Sequence, residues 1–80
     1  MPPIDRKYAK QNLKRAIGHC DDILGYIAST GKGFVDKGNE IEEQTGQFPE
    51  EYLVIMANLA AFEDGQNFIK EGLVALEASF

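Results

Sequence analysis

The sequence predicts an all-α domain in which two long antiparallel helices are joined by a short connecting helix, a three-helix hairpin or bundle that assembles as an oligomer. Three observations predict it. Apolar residues recur in steps of three and four before and after the middle of the chain; turn-forming residues gather at only two places, 29–33 and 46–49; and the segment after Pro49 is more apolar than so short a chain can cover by itself.

The first helix is expected over about residues 5–29. Leu13, Ile17, Cys20, Leu24 and Ile27 are spaced four, three, four, three, which is a heptad seam, and Tyr8, Ala16 and Ile23 widen it. Gly18 and Gly25 lie seven apart on one stripe. Each costs about 1 kcal/mol against alanine inside a helix, so the expectation is that another helix backbone approaches closely there.

Residues 29–33 form the first expected break, with Gly31 as a left-handed helix terminus. A short second helix would follow, anchored by Phe34, Val35, Ile41 and Thr45. Asn39 with Glu42 three residues later has the arrangement of a capping box, and Gly38 weakens the segment.

Pro49, Glu50 and Glu51 after Gly46 are a helix start, because proline is tolerated in a first turn and acids there meet the positive end of the helix dipole. The third helix runs from there to the C-terminus. Its seam reads Tyr52, Ile55, Leu59, Phe62, Gln66, Ile69, Leu73, Leu76, Phe80, and a second stripe of small residues, Ala61, Gly65, Gly72, Ala75 and Ser79, lies beside it with Phe68 interposed. At about 1.5 Å per residue the three helices would measure roughly 40, 20 and 45 Å, so the middle piece cannot cover both neighbours. From Tyr52 to Phe62 only Asn58 is polar, and a helix apolar around most of its circumference is buried on more than one side. Self-association is therefore expected, with Leu53, Met56, Ala60, Ala61, Gly65, Gln66 and Gly72 as the oligomer interface. The opposing expectation is a compact monomer whose short helix folds over that face. Gln66 interrupts an apolar seam, as single polar residues that fix register or oligomer state do.

Composition sets further bounds. Eighty residues make one domain, and a single cysteine excludes a disulfide within the chain. The longest apolar run falls short of the roughly 20 residues a membrane span requires. A charged amphipathic start with no apolar leader region makes the cytoplasm the expected compartment. The net charge of −5 is unevenly spread: up to Arg15 five cations face one acid for +4, and the remainder sums to −9. An acidic bulk argues against general nucleic-acid coating, which needs a basic surface.

Catalytic patterns fail on geometry. His19 and Cys20 are adjacent, and neighbours on a helix point about 100° apart, so they do not form a thiol-imidazole pair. One cysteine and one histidine do not close a zinc site, the Glu-x-x-His pattern of helical di-iron sites is absent, and His19 with Asp22 reads as a solvated face. Residues 25–33 look like a phosphate loop, but the glycine spacing is one too long, Gly33 stands where serine or threonine should, and no strand precedes. No enzyme, metal or cofactor is expected.

One feature asks for a partner. Arg6, Lys10 and Lys14 stack at intervals of four, beside Lys7, Tyr8 and Arg15, and cations at a helix N-terminus oppose the dipole. Structurally, antiparallel packing would bring Glu71 and Glu77 near them; functionally, the cluster would hold an anion or an acidic partner. The stretch at 72–76 (Gly, Leu, Val, Ala, Leu) is similar to the C-terminal helix of small phage proteins that sequester cyclic-nucleotide immune signals. It spans five residues, and no functional residue is carried over from it. The expected function is a non-enzymatic, regulatory or inhibitory protein-binding module acting as a homo-oligomer. The alternative is an oligomer that sequesters a small anionic ligand or nucleotide at the basic end of the first helix.

Overall fold

The computed structural model describes residues 5–80, and they form two helices, α1 (Arg6–Thr45) and α2 (Glu50–Ala78), folded back on each other as a hairpin. The helices are antiparallel, as contacts between Phe34 and Tyr52 near the turn and between Lys14 and Glu77 at the far end require.

The ends of α1 follow local chemistry. The Asp5 carboxylate accepts the Tyr8 N–H at 3.1 Å and caps the first turn. At the other end Gly46 takes φ 82°, the left-handed conformation that glycine adopts without strain, and its N–H donates to the Glu42 carbonyl at 2.7 Å. The Thr45 hydroxyl donates back to the Ile41 carbonyl at 2.8 Å. Pro49 then opens α2, its carbonyl accepting the N–H of Tyr52 at 3.1 Å, with Glu50 and Glu51 in the first turn.

The expected break at 29–33 does not occur. Gly31 is helical, Asn39 lies mid-helix where it caps nothing, and the segment expected as a separate connecting helix is the last part of a 40-residue α1. The reason lies in the seam. Beyond Ile27 the four-three pattern continues through Gly31, Phe34, Gly38 and Ile41, every one of them buried or half-buried against α2. A left-handed residue at Gly31 would swing the chain off α2 and forfeit that packing. Two seam glycines cost about 1 kcal/mol each, and the half-burial of Phe34, Val35 and Ile41 with the packing of Phe48 over Gly38 offsets that cost.

Gly38 has a further role. The edge of the Phe48 ring occupies the space where a side chain at Gly38 would begin. Phe48 meets Tyr52 edge-on with centroids 6.3 Å apart, and Tyr52 meets Phe34 edge-on at 5.0 Å. Such pairs contribute about 0.5–1.5 kcal/mol beyond their area, so three aromatics and one glycine clasp the turn.

The hairpin measures 66 × 16 × 15 Å, with a radius of gyration of 18.7 Å. A compact domain of this length would have a radius near 11.6 Å. Its core is correspondingly thin: Cys20, Ile27 and Gly38 are the buried residues of α1, and α2 has none.

Candidate interaction surfaces

Two different sides of the hairpin follow from how α2 sits on α1. Tyr52, Leu59, Gln66, Leu73 and Phe80, each seven apart, are half-buried against α1, and so are Met56, Lys70 and Glu77 on the adjacent stripe. Two ion pairs mark this side: Lys70 Nζ to Asp21 Oδ1 at 2.5 Å and Lys14 Nζ to Glu77 Oε1 at 3.9 Å. Of the two acids expected to meet the cations of α1, Glu77 does so; Glu71 forms no ion pair among the described residues, and the Lys70–Asp21 pair went unforeseen. Each pair joins an exposed partner, Asp21 or Lys14, to a half-buried one, Lys70 or Glu77, and contributes about 0–1 kcal/mol.

The opposite side is apolar and open. Phe62, Ile69 and Leu76, expected in the seam, are turned away from α1 with 54, 50 and 48% of their surface exposed. The seam read from the sequence is therefore two stripes, and α1 covers only one of them. Beside the open stripe run Asn58, Gly65 and Gly72, and beyond these lies Phe68, 76% exposed. On α1 the same side carries Ala16 and Ile23. A side chain added at Gly65 or Gly72 would meet nothing within 4 Å, and the same holds at Gly18 and Gly25. The close approach expected at that last pair is thus not made by α2.

The residues expected at an oligomer interface divide between these sides. Ala61, Gly65 and Gly72 are exposed on or next to the open face; Leu53 and Ala60 are exposed on another stripe; Met56 and Gln66 are half-buried toward α1. Phe62, Ile69 and Leu76 belong to the open face and are missing from that set, because the sequence pattern assigns them to the internal seam. The signal that separates them is the change from Leu59 and Leu73 to Gln66, Lys70 and Glu77 on the packed side, where a helix pair with so narrow a contact tolerates polar groups.

The basic cluster stands at the far tip. By helical rise α1 extends about 60 Å and α2 about 44 Å, so the first turns of α1 run on past the end of α2. Arg6, Lys7, Tyr8 and Lys10 are exposed on that overhang, as are Lys14 and Arg15 further along, and of these only Lys14 forms an ion pair among the described residues. The other end of the rod is acidic, with Asp36, Glu40, Glu42, Glu43, Glu50 and Glu51 around the turn and Lys37 as the single cation.

The concave features are open grooves, among them one of about 460 Å³ along α2 beside Asn67, Lys70, Glu71 and Val74. Because Gly31 brings no side chain to the seam, a groove of about 220 Å³ opens between the helices beside Ile27, Val35, Met56 and Leu59, with Lys32 and Glu63 at its rim. Cys20 is buried and His19 exposed, so the adjacent pair points apart, and among the described residues no three His, Cys, Asp or Glu side chains converge as a metal site would need. Among the described residues no helix is long and apolar enough to cross a membrane.

No protein-family model matches the chain, and no curated protein or solved structure matches it either.

Proposed function

We propose that this chain is a non-enzymatic helical interaction module that self-associates through the open face of α2 and works, as a homo-oligomer, by binding another protein. The observation that supports it is the mismatch between composition and burial: α2 presents Phe62, Phe68, Ile69 and Leu76 at about half exposure or more and buries no residue at all. The surface area supports it quantitatively. The hairpin exposes 6143 Å², whereas a compact monomer of its 8.9 kDa mass would expose about 4,800 Å². The excess of about 1,300 Å² in one chain is more than the ~800 Å² per partner that a standard interface removes. A second copy laid on the open face would complete a four-helix arrangement in which each helix packs on two neighbours.

Sedimentation velocity over a range of concentrations tests this. Wild-type protein is expected to sediment as a dimer or larger assembly, and Ile69→Glu as a monomer of unchanged helicity. A wild-type protein that stays monomeric at hundreds of micromolar would overturn the proposal.

A second reading has its own support, since Arg6, Lys7 and Lys10 crowd the positive end of α1 with no acid paired to them among the described residues. In that reading the overhang binds a small anion such as a nucleotide. Replacing Lys7, Lys10 and Lys14 by glutamate should then abolish the thermal shift given by a nucleoside triphosphate, and an unchanged shift would remove the reading.

A further inference from the structure

We infer that two copies pair about a two-fold axis crossing α2 near Gly65, with their rods antiparallel, so that the basic overhang of each lies against the acidic turn of the other. This inference rests on the self-association proposed above and adds its geometry and its specificity.

The charge distribution along the rod selects the direction. One end carries Arg6, Lys7 and Lys10 beyond the reach of α2, and the other gathers six acids and one lysine within residues 36–51. Parallel rods would set acidic turn beside acidic turn. Antiparallel rods set each turn beside a basic tip, and complementary potentials of this kind fix register and suppress the wrong arrangement.

The open face selects the axis. Asn58, Gly65 and Gly72 recur every seven residues along the middle of that face, between the Phe62, Ile69, Leu76 stripe and Phe68, and the two glycines have free space above their backbone. Gly65 lies beside the midpoint of α2. A two-fold axis there sets Asn58 opposite Gly72 of the other copy, and it lets Phe62 and Ile69 from both copies meet at the centre. The contact is isologous and closes on itself.

The lengths then agree without adjustment. Pairing of Lys14 with Glu77 places Lys10 about one turn further along, just past the end of α2. Reflected through an axis at Gly65, that level coincides with the turn of the second copy, between Glu42 and Glu43 on one side and Glu50 and Glu51 on the other. The overhang that α2 leaves uncovered thus reaches the region of opposite charge.

Cysteine cross-linking in a Cys20→Ala background, with sedimentation run alongside, is the direct test. Under mild oxidation Gly65→Cys is expected to link to itself, whereas Asn58→Cys and Gly72→Cys link only when mixed with each other. Strong self-linking at both Asn58→Cys and Gly72→Cys would show parallel rods and overturn the inference. Absence of any link in a protein that sediments as an oligomer would also overturn it, leaving self-association through another face; a monomer would remove both.

Charge reversal provides a second readout that does not depend on the added cysteines. A variant with Arg6, Lys7 and Lys10 changed to glutamate, and another with Glu42, Glu43 and Glu50 changed to lysine, should each self-associate at least about tenfold more weakly at low salt. An equimolar mixture should regain wild-type affinity, because each mixed pair carries two complementary contacts. A mixture no tighter than its components would overturn the inference.

Discussion

The two helices of this hairpin treat their apolar residues in opposite ways. α1 is the more polar, yet it holds every buried residue of the structure; α2 is the more apolar and holds none. The difference is one of distribution around the helix. The apolar residues of α1 follow one narrow seam, which a single neighbour can cover. Those of α2 spread from Tyr52 and Leu59 through Phe62 and Ile69 to Phe68, an arc wider than one helix can meet. Amphipathicity, and not apolar content, decides what a two-helix protein can bury.

The sharpest way to break this contrast is to truncate one residue on each helix. Ile27→Ala in α1 is expected to cost about 2–4 kcal/mol, lowering the melting temperature by roughly 8–32 °C, since about 1 kcal/mol corresponds to 4–8 °C in a domain of this size. Phe68→Ala in α2 removes a larger side chain, yet measured below the association constant it should change stability by no more than about 0.5 kcal/mol. Thermal unfolding followed by circular dichroism at low concentration reads both. Equal losses would mean that α2 is buried within the single chain.

Gly38→Ala sharpens it at the turn. The new methyl group would collide with the Phe48 ring, and forcing a filled site apart costs about 1–3 kcal/mol, partly offset by the ~1 kcal/mol that alanine gains in a helix. A net loss of about 0–2 kcal/mol is expected in chemical denaturation. By contrast Gly18→Ala and Gly25→Ala, with open space above them, should each stabilise an isolated hairpin by about 0.5–1 kcal/mol. If either substitution weakens association in sedimentation instead, a second copy approaches α1 there.

The smallest effect belongs to the ionic side. Lys70→Ala removes the Asp21 pair, which is substantially exposed, and should cost at most about 1 kcal/mol, less at high salt. A larger loss in a urea titration would show that the pair directs how α2 is rotated on α1.

Much of the local structure was readable directly. Pro49 with its two glutamates as a helix start is short-range chemistry, decided within three or four residues, and so are the Asp5 cap and the left-handed Gly46, which the pattern of apolar residues did not single out. The seam from Leu13 to Ile27 was equally plain, and Cys20 proved to be packed on it. The left-handed terminus expected at Gly31 falls at Gly46 instead. Both are glycines in a polar stretch, but Gly31 falls on the heptad and Gly46 does not, and only the presence of α2 beneath Phe34, Gly38 and Ile41 makes that difference count.

The sequence by itself determined that the chain is helical, that it turns between residues 46 and 49, and that its charge runs from a basic start to an acidic remainder, because periodicity, turn chemistry and composition are properties of the chain alone. Only the tertiary structure decided that α1 is unbroken, that Gly38 lies beneath Phe48, and which of the two apolar stripes on α2 meets α1. Those outcomes depend on the rotation of one helix against another, a balance of many small contacts that no local pattern encodes.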